Sequence, residues 1–241
     1  MRGAPVPIWC LDRTSPAADR FRYPDPLDEE ERARRDRFHR EEDRDRFTLG
    51  RGLVRSALAA RLGPEPGLDF ALEEFGRPFL ARHPAGPWFS IAHSGNLVVA
   101  AVSAATSRLG VDVEAEDRKV DIDDLARTVC AEEERAWLGR LDPESRRRGF
   151  FGLWTLKEAY LKATGLGLQR EPDRQIFSLE GGPRALSLEL APGESLDDWR
   201  FQLWRLPGGY QLAFAALSRA GPGCIMPAED IGSPSSDFPS G

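Results

Sequence analysis

The chain has 241 residues, 41% of them hydrophobic and 30% charged, with a formal net charge of −6. That length can bury one large core or two smaller cores of roughly 110 residues each. The acidic balance argues against general nucleic-acid binding, and no apolar run approaches the roughly 20 residues that a membrane-spanning helix requires.

Residues 1–11 contain prolines and lack the apolar stretch of a secretory signal. Residues 6–11 read as a short strand. Residues 25–51 are densely charged with both signs mixed, and Asp28, Glu29, Glu30 and Glu31 suit the first turn of a helix. Phe47, Leu53, Val54, Ala57, Leu58 and Leu62 recur at helical spacing. That spacing predicts a helix over about 43–62, stopped by Gly63-Pro64. Residues 68–74 alternate as a strand before a turn at Gly76-Arg77-Pro78. Residues 88–93 and 97–103 are apolar strands joined at Ser94-Gly95-Asn96, the pattern of a hairpin.

Another strand is expected over 109–114. Residues 122–165 read as largely helical, broken near Asp142-Pro143 and ended by Gly165 and Gly167. Strands return at 175–179, 185–190, 199–205 and 210–217. Residues 220–241, rich in Gly, Pro and Ser, read as a disordered tail. Each half runs from helix into antiparallel strands. The expected fold is therefore α+β, with two similar subdomains over 1–107 and 108–219 and a site at their junction. Cys10, Cys130 and Cys224 are odd in number and far apart, which predicts a reducing cytoplasm and neither a disulfide framework nor a zinc site.

Two segments carry the chemistry. In Gly110-Val111-Asp112-Val113-Glu114, strand alternation puts Asp112 and Glu114 on one face. In Trp154-Thr155-Leu156-Lys157-Glu158-Ala159-Tyr160-Leu161-Lys162, helical spacing makes Glu158 and Lys162 neighbours one turn apart. Packed side by side, the segments bring three carboxylates beside a lysine. Such a cluster repels itself unless a cation joins it, and an all-oxygen site with a phosphate partner suits Mg²⁺, with Mn²⁺ as an alternative. The basic residues number 33, yet the only lysines are Lys119, Lys157 and Lys162. Two of those fall in this one helix, and lysine is a compact charge suited to a phosphate oxygen. The bland alternative is an ordinary Glu–Lys surface pair.

Together the two segments resemble the paired signature motifs of the 4′-phosphopantetheinyl transferases. The length, the segment Phe89-Ser90-Ile91-Ala92-His93-Ser94 and the turn at Gly76-Arg77-Pro78 resemble the larger, Sfp-type branch, a pseudo-dimer in one chain. The resemblance implies transfer of the phosphopantetheine arm of coenzyme A to a serine of an apo acyl or peptidyl carrier protein, with release of adenosine 3′,5′-bisphosphate. It implies Asp112, Glu114 and Glu158 as Mg²⁺ ligands, Lys162 on the pyrophosphate and Lys157 near the phosphates. His93 and Arg46 match positions near the 3′-phosphate of coenzyme A, Arg77 and Arg34 match further basic positions, and Glu133 falls where a carboxylate is common. Ala92 departs from the pattern, since relatives often carry a hydroxyl residue there.

The base for the attacking serine is left open between Glu158 and a metal-bound water. Arg146, Arg147 and Arg148 form a candidate patch for an acidic carrier. The reading is of a cytoplasmic, monomeric enzyme with no nucleic-acid or membrane partner. The competing class is a non-catalytic protein of the same fold that binds coenzyme A or a carrier.

Overall fold

Alternation along the strands sorts side chains onto two faces, and both faces are covered. The computed structural model describes residues 4–62, 68–106, 108–165, 171–217 and 221–231. The N-terminal half contains strand β1 (Val6–Asp12), short helices α1 (Asp19–Arg22) and α2 (Glu29–Arg35), and the long helix α3 (Glu41–Leu62). A small hairpin of β2 (Phe70–Leu72) and β3 (Pro78–Leu80) follows, then the hairpin of β4 (Trp88–Ser94) and β5 (Leu97–Ser103). The second half opens with β6 (Leu109–Ala115) and helices α4 (Ile122–Val129), α5 (Glu132–Leu138) and α6 (Pro143–Thr164). It continues with β7 (Ile176–Ser178), β8 (Arg184–Ser187), β9 (Trp199–Leu206), β10 (Tyr210–Leu217) and β11 (Gly223–Pro227).

The main sheets have strand orders β11-β1-β5-β4 and β6-β10-β9. On β5, Val98, Ala100 and Val102 meet Leu49, Leu53 and Leu58 of α3, while Val99 and Ala101 turn to the other sheet. On β10, Ala213 and Ala215 meet Phe150, Leu156 and Tyr160 of α6, while Leu212, Phe214 and Ala216 face inward. Period-2 alternation therefore builds four layers, helix on sheet on sheet on helix. The fold is α+β with antiparallel pairing in each half, as the sequence predicts.

Two expectations need correction. Residues 221–231 are ordered, not tail: β11 pairs in parallel with β1, from Val6 opposite Gly223 to Cys10 opposite Pro227. Arg20 then ties down the following turn by donating to the carbonyls of Glu229 and Ile231, both at 3.1 Å. Backbone bonding of an edge strand needs no apolar alternation, so its Gly- and Pro-rich composition concealed it. The helical stretch also breaks a second time, at Cys130, which is extended. Gly167 and residues 232–241 lie outside the described residues.

Candidate active site

Helix α6 is delimited by its own sequence. The Asp142 side chain accepts the backbone N–H groups of Glu144 and Ser145, both at 3.1 Å, Pro143 occupies the first turn, and Gly165 closes the other end at φ 74°. Its closeness to β6 depends on Gly110. A Cβ there would lie 1.9 Å from the carbonyl oxygen of Ala159. Backbone-to-backbone contact brings Lys162 to Asp112, with Nζ to Oδ1 at 2.7 Å. Lys162 Nζ also lies 3.5 Å from the carbonyl of Ile91 on β4, so the lysine spans the seam between the halves.

Asp112, Glu114 and Glu158 form one electrostatic neighbourhood. Burial raises the Asp112 carboxyl from its ordinary 3.8 to about 7; Lys162 opposes the rise, and Glu114 and Glu158 add to it. Glu158 is also raised, first by burial, with Lys162 opposing and Glu114 adding. Glu114 accepts from Ser94 Oγ at 2.9 Å and from Arg118 Nη1 at 2.5 Å. Asp112 Oδ2 is buried without a hydrogen-bond partner. That orphaned acceptor, in an all-oxygen set of three coupled carboxylates, fits a hard divalent cation. Among the described residues, no three His, Cys, Asp or Glu side chains stand close enough together to hold a metal ion as they are placed. In this arrangement the Lys162 ammonium supplies the compensating positive charge.

A pH dependence follows from Asp112. Its folded value lies above its ordinary one, so between about pH 4 and 7 the folded protein holds a proton that the unfolded chain has released. Stability from this group is complete below that window and is lost as pH rises through about 7. In metal-free urea titrations, wild-type stability relative to Asp112→Asn should fall steadily from pH 4 to pH 7, at about the window just given. A difference independent of pH contradicts the raised value.

Lys162, the partner of Asp112, also lines a cationic cleft of about 250 Å³, walled by Arg34, Arg46, Phe47 and His93. Arg46 donates to the carbonyl of Gly95 at 2.8 Å and also pairs with Asp43. His93 lies below its ordinary pKa, through the crowding around it and then the nearby cations Arg46 and Lys162. The residue is open to solvent on one side, and the two cations act in the same direction as the crowding. An adjoining apolar slot of about 220 Å³ shares Gly76, Pro78, Ile91 and Lys162 with the cleft and adds Phe75, Phe89 and Arg77. Arg77 pairs with both oxygens of Glu73, at 2.9 and 2.7 Å, and reaches the carbonyl of Ala163 at 3.4 Å. It therefore joins the β2–β3 turn to the end of α6. A larger hollow of about 330 Å³ lies elsewhere, beside Arg22 and Arg35. There Arg22 and Arg35 are committed to Asp45 at 2.7 Å and Asp36 at 2.8 Å, and Lys162, the partner of Asp112, is not part of its wall, so the smaller cleft is the better candidate.

Lys157 does not join the others, which corrects its expected place near the phosphates. It is fully buried, with Nζ 2.7 Å from Glu134 Oε2 and 3.0 Å from the carbonyl of Pro172, and it also donates to the carbonyl of Gln175. One residue along a helix is a rotation of about 100°, so the neighbour of Glu158 faces the core. Glu133 is exposed, and Glu134 is the carboxylate that matters. The triple-arginine patch is likewise engaged internally: Arg146 with Asp123, Arg147 with the carbonyls of Glu116 and Arg118, and Arg148 with Glu144 at 2.7 Å. Ser94 and Arg118 enter the site unforeseen. Arg118, four residues after Glu114, carried no periodic signal of its own.

Comparison with known proteins gives a consistent result. Residues 108–215 match the model of the 4′-phosphopantetheinyl transferase superfamily. The 4′-phosphopantetheinyl transferase HetI of Nostoc sp. is 36% identical over 200 residues, spanning 79% of this chain and 84% of that protein. A 4′-phosphopantetheinyl transferase of Bacillus subtilis is 31% identical, over 76% of this chain and 80% of its own. The 4′-phosphopantetheinyl transferase Sfp of Bacillus subtilis is 26% identical, over 86% of this chain and 89% of its own.

Proposed function

Because this chain belongs to the 4′-phosphopantetheinyl transferase family, we propose that it moves the phosphopantetheine arm of coenzyme A onto a serine of an apo acyl or peptidyl carrier protein. The observation that carries this reading is a juxtaposition. Lys162 lines a cleft together with Arg34, Arg46 and His93, and it pairs at 2.7 Å with Asp112, whose carboxyl is coupled to Glu114 and Glu158. Anionic substrate groups suit the arginines and histidine, and Lys162, with a cation that the carboxylates would hold, suits the negative charge that develops during transfer.

On this reading the carrier serine oxygen bonds to the β-phosphorus of coenzyme A as the bond to the bridging diphosphate oxygen breaks. The products are the phosphopantetheinyl serine and adenosine 3′,5′-bisphosphate. Arg34, Arg46 and His93 hold the 3′-phosphate, and Lys162 meets the diphosphate with a fixed positive charge. Asp112, Glu114 and Glu158 would hold a divalent cation, Mg²⁺ or Mn²⁺, which when bound would neutralise diphosphate charge as a Lewis acid. The serine proton has two acceptors available, Glu158 and a water in the cleft. The apolar slot beside Lys162 accommodates the uncharged pantetheine arm. No helix among the described residues is long and apolar enough to cross a membrane. We place the reaction in the cytoplasm, carried out by a monomer.

The test is direct. Incubation with coenzyme A, Mg²⁺ and a panel of apo carriers should add the mass of one phosphopantetheine arm to at least one carrier. Glu158→Gln should keep the fold and lower the rate by about 100-fold or more, the range seen when one preorganised charge contact is removed. Absence of the added mass on every carrier overturns the proposal, and full activity in Glu158→Gln removes that residue from it.

A further inference from the structure

Strands β4 and β6 are neighbouring edges of two different sheets, and no ladder of backbone bonds joins them. Two serine hydroxyls take its place. Ser90 Oγ accepts the N–H of Val111 at 3.0 Å, and Ser94 Oγ accepts the N–H of Ala115 at 3.1 Å. The serines are four apart on one face of β4, their partners are four apart on β6, and the bracketed segment is Asp112-Val113-Glu114. The two hydroxyls differ in one respect. Ser94 Oγ also donates to Glu114 Oε2 at 2.9 Å, while among the described residues Ser90 Oγ makes no hydrogen bond to a carboxylate.

We propose that Ser94 is a positioning residue for the cation: its hydroxyl presets the Glu114 carboxylate and fixes the register of the strand that supplies it. The inference rests on the reading of Glu114 as a cation ligand. A hydroxyl has one proton to give and lone pairs to receive, so Ser94 can serve the Ala115 amide and the Glu114 carboxylate together. With Arg118 on the opposite oxygen, the carboxylate is held from both sides and loses little freedom when it binds an ion. Outer partners of this kind commonly alter metal affinity by about 10- to 100-fold. The same turn continues into Gly95, whose carbonyl takes Arg46 at 2.8 Å, and Asn96, whose N–H meets the Tyr210 hydroxyl at 3.1 Å. Ser94 therefore sits between the groups assigned to the nucleotide and those assigned to the ion.

The experiment measures the dissociation constant of Mn²⁺ by electron paramagnetic resonance of the free ion, on the full chain with saturating coenzyme A. Ser94→Ala, Ser90→Ala and Glu114→Gln are compared with wild type. Each serine change removes one backbone partner, so a purely structural effect appears in both variants equally. Ser94→Ala should weaken Mn²⁺ binding by about 10-fold or more, while Ser90→Ala leaves it near wild type. Equal Mn²⁺ affinity in the two serine variants, with Glu114→Gln still weakened, overturns the role of Ser94 and spares the cation site. Wild-type affinity in Glu114→Gln overturns the cation site and the inference with it.

Discussion

Truncating Glu134 to alanine should destabilise the protein by about 3–5 kcal/mol, the cost of leaving a buried charge without its partner. Lys157 and Glu134 are almost wholly inaccessible, at 0% and 3%. The three ammonium protons of Lys157 have three acceptors, the Glu134 carboxylate and the carbonyls of Pro172 and Gln175. Glu134 also receives the N–H of Ala131 at 2.9 Å and that of Phe177 at 2.8 Å. One ion pair thus ties α5, α6 and the start of β7. Burial pulls the Lys157 pKa down, while the charge and hydrogen bond of Glu134 push it back up. Lys157→Met should be destabilising for the converse reason, and the double variant should lose less than the two single losses added, because neither charge remains to be desolvated. Urea denaturation of the four proteins gives this cycle. If Lys157→Met left stability intact and raised KM for coenzyme A, the lysine would be a phosphate contact after all.

The error over Lys157 shows which parts of the site the sequence could reveal. Spacing along one element was reliable. Asp112 with Glu114, and Glu158 with Lys162, share faces as their periods of two and about 3.6 require. The same wheel, turned one residue, would have placed Lys157 on the buried side, but its position within the signature drew it toward the phosphates. Glu134 differs from Glu132 and Glu133 only in facing inward, and a run of three acidic residues at a helix start does not say which one turns in. Contacts across the seam were harder still. Ser94 was visible as a hairpin residue, yet its bond to Glu114 depends on how two sheet edges meet. The β4–β5 hairpin, the two long helices and β9–β10 were readable because their apolar residues alternate or recur. β11 was not, since its place is held by backbone pairing to β1.

Gly110→Ala should cost about 100-fold in transfer rate while leaving a folded protein. The added Cβ would fall 1.9 Å from the carbonyl oxygen of Ala159 and 2.7 Å from the amide of Ala163. Both are backbone atoms of α6, so no flexible side chain can yield, and helix and strand must separate. Overpacking of this kind costs about 1–3 kcal/mol, which a domain with ordinary reserves survives. The functional loss is larger because the displacement falls on the site itself. Asp112 lies two residues after Gly110, while Glu158 and Lys162 flank the atoms being pushed. The 2.7 Å contact between Lys162 and Asp112 cannot persist if the helix backs away by an ångström, and a misplacement of that size is worth about 100-fold in rate. Gly152→Ala is the control on the same helix. Its Cβ would meet side-chain atoms, the methyls of Leu179 and Leu203 at 3.1 Å and Gln211 Oε1 at 3.9 Å, and these can shift. Far-ultraviolet circular dichroism and urea midpoints establish folding, and arm transfer to an apo carrier gives the rate. A Gly110→Ala enzyme with wild-type turnover would mean that close packing of α6 on β6 does not set the geometry of the carboxylates and lysine.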